Sequence, residues 1–255
     1  MGGALLAGWL DRGASPRDIV VVDPAAPPPP RAGLRVLKSA GDVAADFRPE
    51  IVVVAVKPQK MNEALPPLVP FSSSGAVFLS IAAGKTLASF ARVLGPGAAV
   101  VRAMPNTPAA VGRGISVAVP NAQASAAQRE ACGRLLAAVG AVEWVADEGL
   151  IDAVTAVSGS GPAYVFLLAE TLAEAGAAAG LPRALAEKLA RATVAGAGEL
   201  LYRSSESAAT LRENVTSPAG TTFAALQVLR AADGMPGLMT RAVAAAAARS
   251  RELAG

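Results

Sequence analysis

The chain contains no histidine. That excludes His-based triads, His metal sites and imidazole acid–base catalysis. It has one cysteine, Cys132, so it can form neither an internal disulfide nor a cysteine-rich metal site. Cys132 falls in a helical pattern and reads as a core residue. Aromatic residues make up only 4%, the net charge is +3, and basic residues form no run. Nucleic-acid binding needs a clustered basic stripe with stacking aromatics, so none is expected. No stretch reads as a membrane span. The most apolar long segment, Gly161 to Gly180, is interrupted by Glu170 and Glu174, and charge at mid-bilayer is costly. No signal-peptide pattern is present. The expected setting is the cytoplasm, without a membrane partner. Chemistry must run on lysines, carboxylates, hydroxyls, backbone groups or a bound cofactor.

What is abundant is small and apolar. Hydrophobic residues make up 53% of 255, enough for one large or two modest domains with Ala, Val and Leu cores. The stretch Asn214 to Thr222 organises the reading. Ser217 fits an N-cap and Pro218 a first helical position. Thr221 and Thr222 add hydroxyls to the same helix start. Free N–H groups, the positive dipole end and hydroxyls suit a small carboxylate.

The first half alternates apolar runs with helical patterns. Runs are expected at Ile19–Val22, Ile51–Val56, Ala76–Ala82, Ala98–Arg102, Ile115–Val119 and Val142–Val145. Helices are expected at Met1–Leu10, from Gln59 to Leu65, after Gly84 and around Ser125–Val139. This predicts βαβ units, hence an α/β Rossmann-like parallel sheet over residues 1–147. Ligands in such sheets lie beyond the carboxyl ends of the strands. Three strand ends carry unusual residues: Val56-Lys57-Pro58, Ala82-Ala83-Gly84 and Met104-Pro105-Asn106-Thr107. Together they point to a dinucleotide site. Of the G-x-G-x-x-G turn only the tail could be present, in Met1-Gly2-Gly3. The first strand is therefore read as missing, through a misassigned start or a truncation, and its neighbours should lose their ladder partner. Asp23, ending the second strand, would bond the ribose and disfavour a 2′-phosphate, with Arg31 close enough to offset it. This leaves cofactor preference open.

After Asp147 the strand pattern stops. Residues 148–255 read as an all-helical domain, broken at Ser158–Pro162, Leu181-Pro182 and Gly234–Gly237. Several helices are apolar on more than one face, more than about 105 residues can bury alone, which predicts a dimer.

Four motifs in order resemble the pyrroline-5-carboxylate reductase family: Ala55-Val56-Lys57-Pro58, Met104–Pro108, Ser158–Tyr164 and Val215–Thr222. The match covers nearly the whole chain. The resemblance implies a Rossmann domain, a helical dimerisation domain, and a homodimer often built into a homodecamer. It implies reduction of 1-pyrroline-5-carboxylate to L-proline by NADPH, with NADH as the alternative. On this chain Ala55, Val56, Lys57, Pro58 and Ala83 would line the cofactor, with Asn106 near the nicotinamide. Ser217, Gly220 and Thr221 would hold the carboxylate, and Thr222 would face the imine nitrogen as the catalytic residue; no metal is implied. Ala219 stands where the family's S-P-G-G-T-T has its first glycine, a mild change if φ is negative there. Ser207-Ala208 replaces a frequent His-Pro pair.

Two other readings compete. A β-hydroxyacid dehydrogenase leans on a lysine in the helical half, where only Lys188 is present and reads as a solvated face. A non-catalytic dinucleotide-binding dimer is the other.

Overall fold

The computed structural model describes residues 1–25 and 27–254. They divide into two compact units, Met1–Gly159 with Ala247–Gly255, and Ser160–Ala246.

The first unit opens with helix α1 (Gly2–Asp11), then strands β1 (Val20–Val22), β2 (Arg35–Leu37) and β3 (Ile51–Val54). Short helices α2 (Met61–Ala64) and α3 (Val69–Ser73) lead to β4 (Val77–Ser80), α4 (Leu87–Leu94), β5 (Ala99–Met104) and β6 (Gly114–Pro120). Helix α5 (Ala126–Ala137), β7 (Gly140–Trp144) and α6 (Ile151–Val154) follow. Strand β2 was not expected: three residues beginning with an arginine give too weak a pattern.

The strands form two sheets. β1 pairs in parallel with β2, and β3-β4-β5-β6-β7 form the other in that order. Among the described residues no strand joins β1 to β3. β3, β4 and β5 are parallel, but β6 runs antiparallel to β5, so the sheet is parallel-dominated rather than wholly parallel. Direction escapes the sequence because a doubly buried strand reads the same both ways.

β4 is buried along its whole length. Its alternation splits the core. Val77 and Leu79 face a cluster with Leu5 of α1 and Cys132 and Leu136 of α5. Phe78 faces another with Met61, Phe90 and Leu94 of α2 and α4. Each fully buried large side chain contributes about 1.5–3 kcal/mol. α1 is fixed by close packing. A Cβ at Gly8 would collide with Val139, and Trp9 Nε1 donates to the Leu135 carbonyl at 2.8 Å.

The second unit holds α7 (Gly161–Ala178), α8 (Arg183–Arg203), α9 (Ala208–Asn214), α10 (Thr221–Leu229) and most of α11 (Met235–Ala254). α7 and α8 form a hairpin. It turns at Gly180, whose φ of 101° suits glycine, and a Cβ at Gly176 would lie 3.3 Å from Ala186 Cβ.

The expected break at Ser158–Pro162 is not a full stop. A π-helical turn, Thr155–Gly159, leads into α7. Glu148–Ala178 is thus a 31-residue helix containing an 18-residue window of mean hydropathy 1.3, by length and composition long and apolar enough to cross a membrane. The sequence pattern ends the helix at the glycines, so the longer apolar window across them is not visible there. Only 11% of the apolar window is buried, and Phe166 is 68% exposed. A surface this apolar calls for another surface to cover it.

Candidate functional site

The site residues fall into two groups, one in each unit. In the first unit, Val54 pairs with Ser80 and Ser80 with Arg102, so the ends of β3, β4 and β5 lie side by side. This brings Ala55–Pro58, Ala83 and Asn106 to one sheet edge. Val54, Ile81 and Ala82 are buried, whereas Ala55, Lys57 and Ala83 are exposed. Small exposed residues on a packed floor leave room for a flat ring.

The N-terminus of α1 reaches the same edge. A Cβ at Gly2 would lie 2.9 Å from Ala55 Cβ. No side chain caps α1, so its first-turn N–H groups are available to an anion. Open N–H groups of this kind suit a phosphate group. Asn106 is held in place. Its Oδ1 accepts from Ile115 N at 2.9 Å, which leaves its NH₂ to point elsewhere. Gly84, with φ of 66°, closes the turn after Ala83, and a Cβ there would lie 3.1 Å from the Leu253 carbonyl oxygen.

Two polar residues at this edge escaped the sequence reading. Arg102 is 4% exposed and donates to Glu148 Oε1 at 2.7 Å. The same oxygen accepts the Leu87 N–H at 2.8 Å, at the start of α4. A lone arginine inside an apolar strand was the available signal.

In the second unit, α10 begins at Thr221, not at Pro218, and its N-cap is Gly220 rather than Ser217. Ser217 to Gly220 form a turn instead, with Gly220 N donating to the Ser217 carbonyl at 3.1 Å. Serine and proline suit the opening of a turn as well as a helix start. Ala219 occupies the third turn position with φ of 56°, the only positive φ outside glycine among the described residues. The glycine-to-alanine change is therefore strained and not mild.

A Cβ at Gly220 would collide with Ser217 Oγ, so a larger residue there would turn that hydroxyl away. Gly220 supplies no capping side chain, and the first-turn N–H groups of α10 remain open. The hydroxyls of Ser217, Thr221 and Thr222 surround that helix end. Ser217 and Thr221 are exposed and Thr222 is half-buried. Thr216 is committed elsewhere, donating to the Arg212 carbonyl at 2.6 Å. Backbone donors and the positive end of a helix dipole suit a small carboxylate.

A cavity of about 600 Å³ lies at the opposite sheet edge, between Pro120–Ala122, Arg129, Glu130 and Trp144. None of the predicted residues lines it.

Known families match both parts of the chain. Residues 1–84 match the family model described as NADP oxidoreductase, coenzyme F420-dependent. Residues 148–253 match the model for pyrroline-5-carboxylate reductase dimerisation. A Rossmann-type sheet followed by dimerisation helices defines an NAD(P)-dependent oxidoreductase. Pyrroline-5-carboxylate reductase of Pseudomonas aeruginosa is 43% identical, over 100% of this chain and 93% of that protein. The structure of a pyrroline-5-carboxylate reductase from Coxiella burnetii superposes with a TM-score of 0.91 at 32% identity, covering 100% of this chain and 95% of the other. That of Plasmodium falciparum pyrroline carboxylate reductase with NADP bound gives 0.83 at 28% identity, with the same coverage. The chain belongs to the pyrroline-5-carboxylate reductase family.

Proposed function

We propose that this chain reduces 1-pyrroline-5-carboxylate to L-proline with NAD(P)H, the last step of proline biosynthesis. The observation that carries the reading is the uncapped N-terminus of α10 with Ser217, Thr221 and Thr222 around it.

Ser217, Gly220 and Thr221 hold the substrate carboxylate, through hydroxyls and backbone N–H groups. Ala55, Val56, Lys57, Pro58 and Ala83 line the dinucleotide, and Asn106 presents its NH₂ near the nicotinamide. Residues 1–147 thus bind the dinucleotide, and residues 148–255 supply the substrate loop and the subunit interface. When bound, NAD(P)H supplies the hydride for the C=N carbon. The protein supplies position. Fixing the carboxylate fixes which face of the ring is presented, and orientation of this kind carries much of a rate enhancement. Thr222 hydrogen-bonds the imine nitrogen and relays a proton from solvent, its own hydroxyl being too weak an acid to act alone.

The exposed apolar residues of α7 and α8, including Phe166, Leu167, Leu200 and Leu201, are covered in a homodimer. We read the dimers as assembling into a homodecamer and the enzyme as cytoplasmic. Oxidation of NAD(P)H by the purified chain, with and without 1-pyrroline-5-carboxylate, tests the activity. Sedimentation at micromolar concentration tests the assembly: a monomeric mass contradicts the dimer, and a lone dimer contradicts the decamer.

A further inference from the structure

The last turns of α11 belong to the first unit, together with the turn that follows β4. Ala247, Ser250 and Leu253 recur every three residues, so they share one stripe of that helix. Ala247 and Ser250 are buried. A serine buried on a helix needs a hydrogen-bond partner. The Ser250 hydroxyl donates to Asp152 Oδ1 of α6 at 2.6 Å. An O–H bond of that length to a carboxylate is of the strong, charge-assisted kind. Leu253 lies one turn further along. A Cβ at Gly84 would meet the Leu253 carbonyl oxygen at 3.1 Å, its carbonyl carbon at 3.5 Å and its Cβ at 3.6 Å. The end of α11 therefore lies directly against the Ala83-Gly84 turn, which leaves Ala83 itself exposed.

Asp152 follows Glu148 by four residues, one helical turn, which puts the two acids on one face. Glu148 Oε1 takes the Leu87 N–H at 2.8 Å, where the same turn ends and α4 starts. The turn from Ala83 to Leu87 is thus held at both ends from one helix. Glu148 holds Leu87 directly. Asp152 holds Gly84 through Ser250 and Leu253.

We infer that Ser250 is a positioning residue for the dinucleotide: by anchoring the end of α11 to Asp152 it keeps Leu253 on Gly84 and fixes the turn that carries Ala83. The inference rests on the reading that the ends of β3 and β4 hold a dinucleotide. Ser250 acts through Asp152 and Leu253 and needs no contact with the cofactor. Without its bond the last turn of α11 frays, as helix ends with few buried contacts do. A binding turn that is in place only part of the time lowers apparent affinity by that fraction.

The test compares the full-length protein with Ser250→Ala, Asp152→Ala and the pair. One readout is amide hydrogen exchange of residues 83–87 without nucleotide. The other is NADPH affinity, read by nucleotide fluorescence without substrate. Ser250→Ala should speed exchange in that turn and weaken NADPH threefold or more. Asp152→Ala should do the same, and the pair should be no worse than either alone, because both changes remove one bond. Asp152→Asn keeps an acceptor and should bind NADPH as the unaltered protein does. KM for 1-pyrroline-5-carboxylate at saturating NADPH should stay within twofold throughout. Asp152 is the less buried partner, so Asp152→Ala decides the matter if Ser250→Ala does not fold. Unchanged exchange and affinity in the folded variants, additive losses in the pair, or an equal loss of substrate and nucleotide binding overturns the inference. Failure of NADPH and NADH alike to bind the folded, unaltered protein overturns the dinucleotide site and this inference with it.

Discussion

Glu148 holds Arg102 against the sheet with an N–O distance of 2.7 Å, and the same carboxylate oxygen takes the first N–H of α4. Arg102 sits two residues before Met104, on the strand that delivers Asn106. Glu148 opens the region of the dimerisation match. One carboxylate therefore ties β5 to the start of α4. Removing it leaves a buried guanidinium without its counter-charge. Glu148→Ala should cost about 2 kcal/mol, discounted for the partial exposure of the glutamate. A thermal or urea midpoint within error of the unaltered protein would show the pair to be dispensable.

Ala219 offers a gain of stability. A non-glycine residue in the left-handed region costs roughly 1–2 kcal/mol, and glycine's extra freedom in the unfolded chain returns about half of that. Ala219→Gly should raise stability by about 0.5 kcal/mol, while Ala219→Val should lower it by more than about 1 kcal/mol. Comparing melting temperatures decides it. Equal melting of the two variants would mean that φ at 219 is not positive.

Gly220→Ala separates the two half-sites. The added Cβ collides with Ser217 Oγ, so that hydroxyl must swing away from the helix end. KM for 1-pyrroline-5-carboxylate should rise tenfold or more, with nucleotide affinity unchanged. A normal KM would remove this turn from substrate binding.

The Cys132 thiol is fully buried, and burial raises it from 9.0 to about 12. Its folded value lies above its unfolded one, so its contribution to stability is complete below about pH 9 and is lost as the pH rises towards about 12. At pH 8 the native thiol should resist a thiol-specific chromogenic reagent, and denaturant should release one equivalent. Rapid native labelling would place Cys132 outside the core.

Much of this was legible in the residues, and the limits have physical causes. Runs such as Val77–Ser80 are apolar on both faces, which marks a buried strand but carries no direction. The reversal of β6 was invisible for that reason. Ser217-Pro218 was read as a helix start because both residues also suit one, yet φ at Ala219 diverts the chain into a turn first. The glycines of Ser158–Gly161 looked like a stop. A π turn carries the helix through them, with Gly159 so close to Met104 that a Cβ would sit 2.6 Å from its terminal methyl carbon. That contact joins two motifs distant in sequence, which no local pattern could reveal. The structure lines up the strand-end residues on one edge and gathers Ser217–Thr222 at one helix start.

The central claim is that Thr222, at the N-terminal turn of α10, serves the reduction of a cyclic imino acid. The decisive measurement is steady-state NADH and NADPH oxidation with 1-pyrroline-5-carboxylate by the unaltered protein and by Thr222→Val. The account predicts substrate-dependent oxidation by the former. In the variant kcat should fall by a hundredfold or more, with nucleotide affinity intact. Turnover by Thr222→Val at the unaltered rate would contradict the account.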